Sequence, residues 1–238
     1  MADNYCVSAL TWDSEFFAKN MGQLNFAQKT DDSAVLADFD LVQAKVSTEN
    51  YVQINTLNQF GFHLVEGEVD FSMWVPDEVS NDLTETSGMI EVADVSQIKN
   101  IKAIVGSNFI ISRYRQPWFT AKSRDDFYQL WAEKAVKGTF DDLCLVVKTG
   151  STIKGFITLK FVKSVARVGL ISVAPNFQQQ GIGKALLQIA VQYCQIHKVK
   201  QLFVATQLAN RAALSLYSKF GFSINTLSYW FYKTHAPL

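Results

Sequence analysis

The stretch Val173-Ala-Pro-Asn-Phe-Gln-Gln-Gln-Gly-Ile-Gly-Lys184 decides how the rest of the chain is read. An apolar run, Val165 to Val173, stops at Pro175, and the chain turns through Gln178-x-x-Gly181-x-Gly183. A helical pattern opens at the glycines, with Ile182, Ala185, Leu186, Ile189, Ala190 and Tyr193 on one face and Lys184, Gln188, Gln192 and Gln195 facing water. Glycine lacks a Cβ, so backbone amides can approach a bulky anion, and the first amides of a helix have no partner inside it. Such a turn suits a diphosphate. The helix dipole adds only about 0.3–2 kcal/mol for an anion, so direct hydrogen bonds must supply most of the affinity. Two other phosphate-binding turns are excluded, because the chain has neither GxGxxG with an acidic residue about 20 positions on nor GxxxxGK[ST].

Working outward, Leu143 to Lys148 and Ile153 to Phe161 flank a turn at Thr149-Gly150 and make a hairpin, and Val165 to Val173 adds a third strand. Upstream, Met89 to Val92 is a short strand, and Asp94 caps a helix that turns Ile98, Ile101 and Val105 inward. A second helix carries Phe127, Leu130 and Trp131, while Pro117 keeps Ser112 to Trp118 a loop. Downstream come a strand at Gln201 to Thr206, a helix at Asn210 to Phe220 stopped by Gly221, and a closing strand at Phe222 to Lys233. The polar, aperiodic stretch from Pro76 to Ser87 reads as a linker. The chain is thus α/β, with a small N-terminal domain at 1–80 and a larger domain at 88–238.

The N-terminal part holds an echo of the C-terminal one. Asn50-Tyr-Val-Gln-Ile-Asn-Thr-Leu-Asn-Gln-Phe-Gly-Phe62 and Asn210-Arg-Ala-Ala-Leu-Ser-Leu-Tyr-Ser-Lys-Phe-Gly-Phe222 share the Asn, the Phe-Gly-Phe ending and their spacing. Each follows a strand-like run, at Leu41 to Val46 and Leu202 to Thr206, and reads as a strand-helix-strand repeat. Two unrelated amphipathic helices that end in Gly-Phe would look the same.

Composition narrows the function. The 238 residues carry 22 Lys+Arg against 22 Asp+Glu, and a balanced chain lacks the basic footprint that nucleic acid requires. No apolar run reaches membrane-spanning length and no basic-then-apolar leader opens the chain, so a cytoplasmic protein without a membrane partner is expected. Cys6, Cys144 and Cys194 are far apart in apolar surroundings and read as buried free thiols. His63, His197 and His235 stand apart from acidic clusters, and no metal is expected.

Gln178, Gly181 and Gly183, at a helix start after a hairpin and a third strand, resemble the Gln/Arg-x-x-Gly-x-Gly/Ala signature of the GNAT acetyltransferase superfamily. The element order from Met89 onward resembles that fold too. The resemblance implies a mixed sheet splayed at an acetyl-CoA site and an N-terminal part built like a partial GNAT repeat. It places pantetheine along Ile171, Ser172 and Val173, and the pyrophosphate over Phe177, Gln178, Gln179, Gln180, Gly181, Ile182 and Gly183. Asn210 would cap its helix and face pantetheine, a backbone amide near Val173 would meet the oxyanion, and Tyr217 would protonate the leaving thiolate. A phenol near pKa 10 can serve a thiol that titrates near 8.5 only if it is held in place. Gln180 stands where relatives often carry Arg, so one charge near the pyrophosphate is missing.

A closer resemblance runs through Leu10 to Phe17, Gly61 to Asp70, Ser112 to Trp118, Gly138 to Asp141 and Val204 to Gln207. It is to the branch of that superfamily that acetylates the 4-amino group of dTDP-linked 4-amino-4,6-dideoxy sugars. It implies a nucleotide-sugar substrate and leaves a homodimer open. Arg113 and Arg115 would grip the acceptor's diphosphate and Trp118 would face its thymine, although two solvated arginines fit the sequence equally well. Trp12, Phe16 and Phe17 read as core or interdomain contacts rather than ligand contacts. A protein N-terminus, an antibiotic amine or a non-catalytic acetyl-CoA-binding role remains open on sequence.

Overall fold

The computed structural model describes residues 5–30, 33–76 and 89–235. All of the expected linker except Pro76 lies outside them. The N-terminal elements are β1 (Tyr5–Ala9), α1 (Thr11–Phe17), β2 (Met21–Thr30), β3 (Leu41–Ser47), α2 (Tyr51–Gln59) and β4 (His63–Trp74). After the linker come β5 (Met89–Val92), α3 (Ile98–Asn108), α4 (Ala121–Val136), β6 (Leu143–Thr149), β7 (Thr152–Val162) and β8 (Val165–Val173). The chain closes with α5 (Ile182–Ile196), β9 (Gln201–Gln207), α6 (Arg211–Phe220) and β10 (Ser223–Thr234). No helix among the described residues is long and apolar enough to cross a membrane.

The described strands form one mixed sheet in the order β1-β2-β3-β10-β4-β9-β8-β7-β6-β5. The two strand-helix-strand segments interlock in it. β10 lies between β3 and β4, and β4 lies between β10 and β9. Residues 1–80 and 88–238 therefore share one sheet. The registers correspond: Ser47 faces Ser228 and Gln207 faces Glu68, and both members of each pair stand 160 positions from their counterparts in the other. Glu68 also faces Ser228 across the central β4–β10 ladder. Asn50 and Asn210 both cap their helices, accepting from Gln53 and Ala213 amides, and Gly61 and Gly221 both end them at positive φ.

Helices α5 and α6 cover one face, packing Ile182, Leu186 and Tyr217 on Val69, Phe71, Val168 and Val204. Alternation along the strands turns Asp70, Arg167 and Phe203 to the other face. That face is covered at one end by α3 and α4, and an aromatic cluster seats α1 against α4, with Trp12 5.5 Å from Phe127 and Phe17 4.5 Å from Phe119. Two readings shift. On α5 the expected Ile182, Ala185, Leu186 and Ala190 are buried, but the stripe extends to Leu187, Val191 and Cys194 and leaves Ile189 and Tyr193 half-buried, because β7, β8 and α6 press on it from different sides. Of the three cysteines, Cys144 and Cys194 are buried free thiols, whereas Cys6, on the edge strand β1, is only half-buried.

Candidate active site

The site begins where two parallel strands part. β8 pairs with β9 from Val165↔Gln201 to Val168↔Val204, and there the ladder ends while β8 continues to Val173 against β7. Ala174 donates its amide to the Lys154 carbonyl on the β7 side. Strand alternation therefore turns the amides and carbonyls of Ile171 and Val173 into the gap.

A bulge causes the parting. The β7–β8 register shifts between the Ile157 and Leu159 pairings, leaving Gly169 and Leu170 as the irregular stretch of β8. The Leu170 amide donates to the Thr158 hydroxyl (2.8 Å), which donates to Asp141 Oδ2 (2.6 Å), and Trp131 Nε1 donates to the same oxygen (2.8 Å). A Cβ on Gly169 would collide with that carboxylate, so only glycine lets Asp141 come close enough to pin the bulge. Burial pushes the Asp141 pKa up, against the two hydrogen bonds that lower it. The sequence reading passed over Gly169, Asp141 and Thr158 as site residues; a glycine inside a strand was the available signal.

Beyond β8, Gly181 takes φ 81° as the N-cap of α5, which has no side-chain cap. Its first amides thus face the cleft. Gln180 turns back to the Asn176 carbonyl (3.0 Å) and braces the loop. A Cβ on Gly183 would lie 3.1 Å from Leu216 Cδ2, so this glycine also permits the contact between α5 and α6. Asn108, at the end of α3, was not expected at the site: its Nδ2 donates to the Ser172 hydroxyl and the Val173 carbonyl (both 2.9 Å), and Gln178 Nε2 donates to its Oδ1 (3.1 Å). These bonds tie the end of α3 to the open edge of β8.

On the opposite wall Tyr217, one turn and a half along α6, is 2% exposed, with Phe71 and Phe222 at 5.6 and 5.9 Å. Burial raises its pKa. One cleft of 710 Å³ is lined by Tyr217 and by all the cofactor residues expected from sequence except Gln180.

The arginine loop is arranged differently from a ligand grip. Arg113 donates through Nη1 to Gln43 and Tyr232 (both 2.6 Å) and through Nη2 to Tyr114 (2.5 Å), with its guanidinium 4.0 Å from the Trp230 ring centre. It joins the loop to β3 and β10. Arg115 donates to the carbonyls of Gln116 and Val65. Trp118 is buried on Tyr232 at 5.5 Å, with no hydrogen-bond partner for its Nε1 among the described residues. The structure thus gathers the cofactor-side residues into one cleft and directs the donors of Arg113 into the protein.

Comparison with known proteins agrees with this geometry. The profile of the Acetyltransferase (GNAT) family matches residues 108–222. The dTDP-fucosamine acetyltransferase of Escherichia coli O6:H1 is 33% identical over 233 residues, covering 95% of this chain and 97% of that protein. The ribosomal protein bS18-alanine N-acetyltransferase of Salmonella typhimurium is 28% identical over 106 residues, 44% of this chain and 72% of that one. A tandem GNAT protein from the clavulanic acid biosynthesis pathway shares the fold, with a TM-score of 0.60 at 11% identity over 92% of this chain and 76% of its own. A likeness to an acetyltransferase that runs end to end, on a sheet that parts at β8 beside a helix opened by glycines, makes this chain a member of the GNAT family of acetyltransferases.

Proposed function

We propose that this acetyltransferase moves the acetyl group of acetyl-CoA onto the 4-amino group of a dTDP-linked 4-amino-4,6-dideoxy sugar. The observation that carries the reading is the reach of the 33% identity. The likeness to the bS18-alanine N-acetyltransferase covers 44% of this chain, whereas that to the dTDP-fucosamine enzyme covers 95% of it.

In this reading Ile171 and Val173 hydrogen-bond pantetheine along the open edge of β8, as an added strand would. The uncapped amides of α5 and the loop from Phe177 to Gly183 hold the pyrophosphate, and Asn210 faces pantetheine from the α6 N-terminus. The amine attacks the thioester carbon from the side of α3 and forms the C–N bond. A backbone amide near Val173 stabilises the oxyanion, and water takes the ammonium proton. The C–S bond then breaks, and Tyr217 donates its phenolic proton to the departing thiolate. Arg113, drawn inward, fixes the acceptor loop instead of touching substrate.

The test is acetyl-CoA turnover across a panel of nucleotide 4-amino sugars, with a peptide bearing an N-terminal alanine beside them. Turnover of a dTDP-4-amino sugar well above the peptide is expected. Turnover of the peptide alone would replace the reading with protein N-terminal acetylation.

A further inference from the structure

Resting on that reading, we propose that Arg167 receives the diphosphate of the acceptor and that Asp70 holds it in place. A nucleotide sugar brings two negative phosphates to the site, and the arginines of the loop are engaged: Arg113 by three side chains and Arg115 by two backbone carbonyls. Arg167 is placed otherwise. It sits on β8 one residue before the last rung of the β8–β9 ladder, on the face opposite α5 and α6. That is the face on which α3 and the acceptor loop lie.

Its guanidinium crosses over β9. Nη1 donates to Asp70 Oδ1 at 2.6 Å and Nη2 lies 3.3 Å from Asp70 Oδ2, with the Phe203 ring centre 5.4 Å from the guanidinium carbon. Asp70 is held in turn by Asn225 Nδ2 at 3.1 Å, and Asn225 sits at the register shift of β10, the bulge that sets it against Asp70. The partners are unequally covered: the Asp70 side chain is 9% exposed and that of Arg167 48%. The carboxylate thus aims the fork from below while the remaining N–H donors stay open to an incoming anion.

The experiment compares wild type with Arg167→Ala, Arg167→Lys and Asp70→Asn, measuring acceptor KM, acetyl-CoA KM, thermal midpoint and inhibition by dTDP against the acceptor. Loss of one charge-assisted pair raises acceptor KM and the dTDP inhibition constant by about ten- to a hundredfold in Arg167→Ala. Acetyl-CoA KM stays within about twofold, and Arg167→Lys, which keeps the charge and loses the fork, falls between. An unchanged dTDP constant in Arg167→Ala overturns the assignment, as does an equal rise in both KM values with a lowered midpoint, which is the signature of a purely structural ion pair. Should wild type turn over no dTDP-amino sugar, the functional reading fails on its own, and calorimetry with dTDP still decides the subsite: binding lost in Arg167→Ala supports it, while equal binding, or none to wild type, removes it.

Discussion

Replacing Tyr217 by Phe keeps the ring in contact with Phe71 and Phe222 and removes the proposed donor to the leaving thiolate. In water a phenol near 10 gives its proton to a thiolate near 8.5 at a cost of about 2 kcal/mol, and burial of Tyr217 widens that gap, which positioning within the cleft must cover. Without the donor, kcat should fall by about 10²- to 10⁴-fold while acetyl-CoA affinity changes little. Stability should move by less than about 1.5 kcal/mol, because one hydroxyl is lost and no cavity opens. Burial alters what pH does. A phenol of ordinary pKa would supply an alkaline limb to the rate profile; burial lifts Tyr217 above its ordinary value, so it stays protonated through the assay range. Wild type and variant should therefore share their alkaline behaviour and differ by a nearly constant factor. Thiol release followed with a chromogenic disulfide from pH 6 to 10, with calorimetry for acetyl-CoA, reads both quantities. A variant that turns over at the wild-type rate would refute the argument and return Tyr217 to packing.

Gly183→Val sets a branched side chain against Leu216 and over the amides at the start of α5; acetyl-CoA affinity by calorimetry should drop at least tenfold, and stability by about 1–3 kcal/mol. Asp141→Ala leaves the Thr158 hydroxyl and the Trp131 indole without their acceptor, which costs about 1–3 kcal/mol for each buried group in urea unfolding and loosens the bulge, so kcat should fall as well. Glu133 is held at about 2, below its ordinary 4.5, by hydrogen bonds from Lys102 and Lys137, a link between α3 and α4. Since the folded pKa is the lower one, its stabilisation is present above 4.5 and is lost as pH falls toward 2; the melting difference between wild type and Glu133→Gln should narrow over that window.

Much of the chain is legible because its signals are local. Pro175, Gly181 and Gly221 end or open elements through their own backbone preferences, and the aromatic residues of α1 pack half-buried against the core as their hydrophobicity demands. What escaped reading depends on partners far away in sequence. Arg113 looks like a surface arginine until β3 and β10 bring Gln43 and Tyr232 to it, 70 and 119 residues away. Gly169 looks like any strand glycine until Asp141 arrives from the loop before β6. The α5 stripe spreads to Leu187, Val191 and Cys194 for the same reason: periodicity places the buried face, while the neighbours set its width.

The sheet order has the largest consequence for chemistry. Had β9 been followed in space by β10, the cofactor half would have closed on itself and the N-terminal half could only have docked from outside. With β4 between them, Asp70 from the first half comes within hydrogen-bonding distance of Arg167 and Asn225 from the second, on the face away from the cofactor helices. Under the proposed reading the acceptor floor is built from both halves, and a family signature confined to residues 108–222 cannot describe it. On the same reading a change at Asp70 would alter the acceptor side without touching the glycine turn or Tyr217. Identity over the whole chain is for that reason a better guide to the acceptor than the signature, which speaks only for the donor.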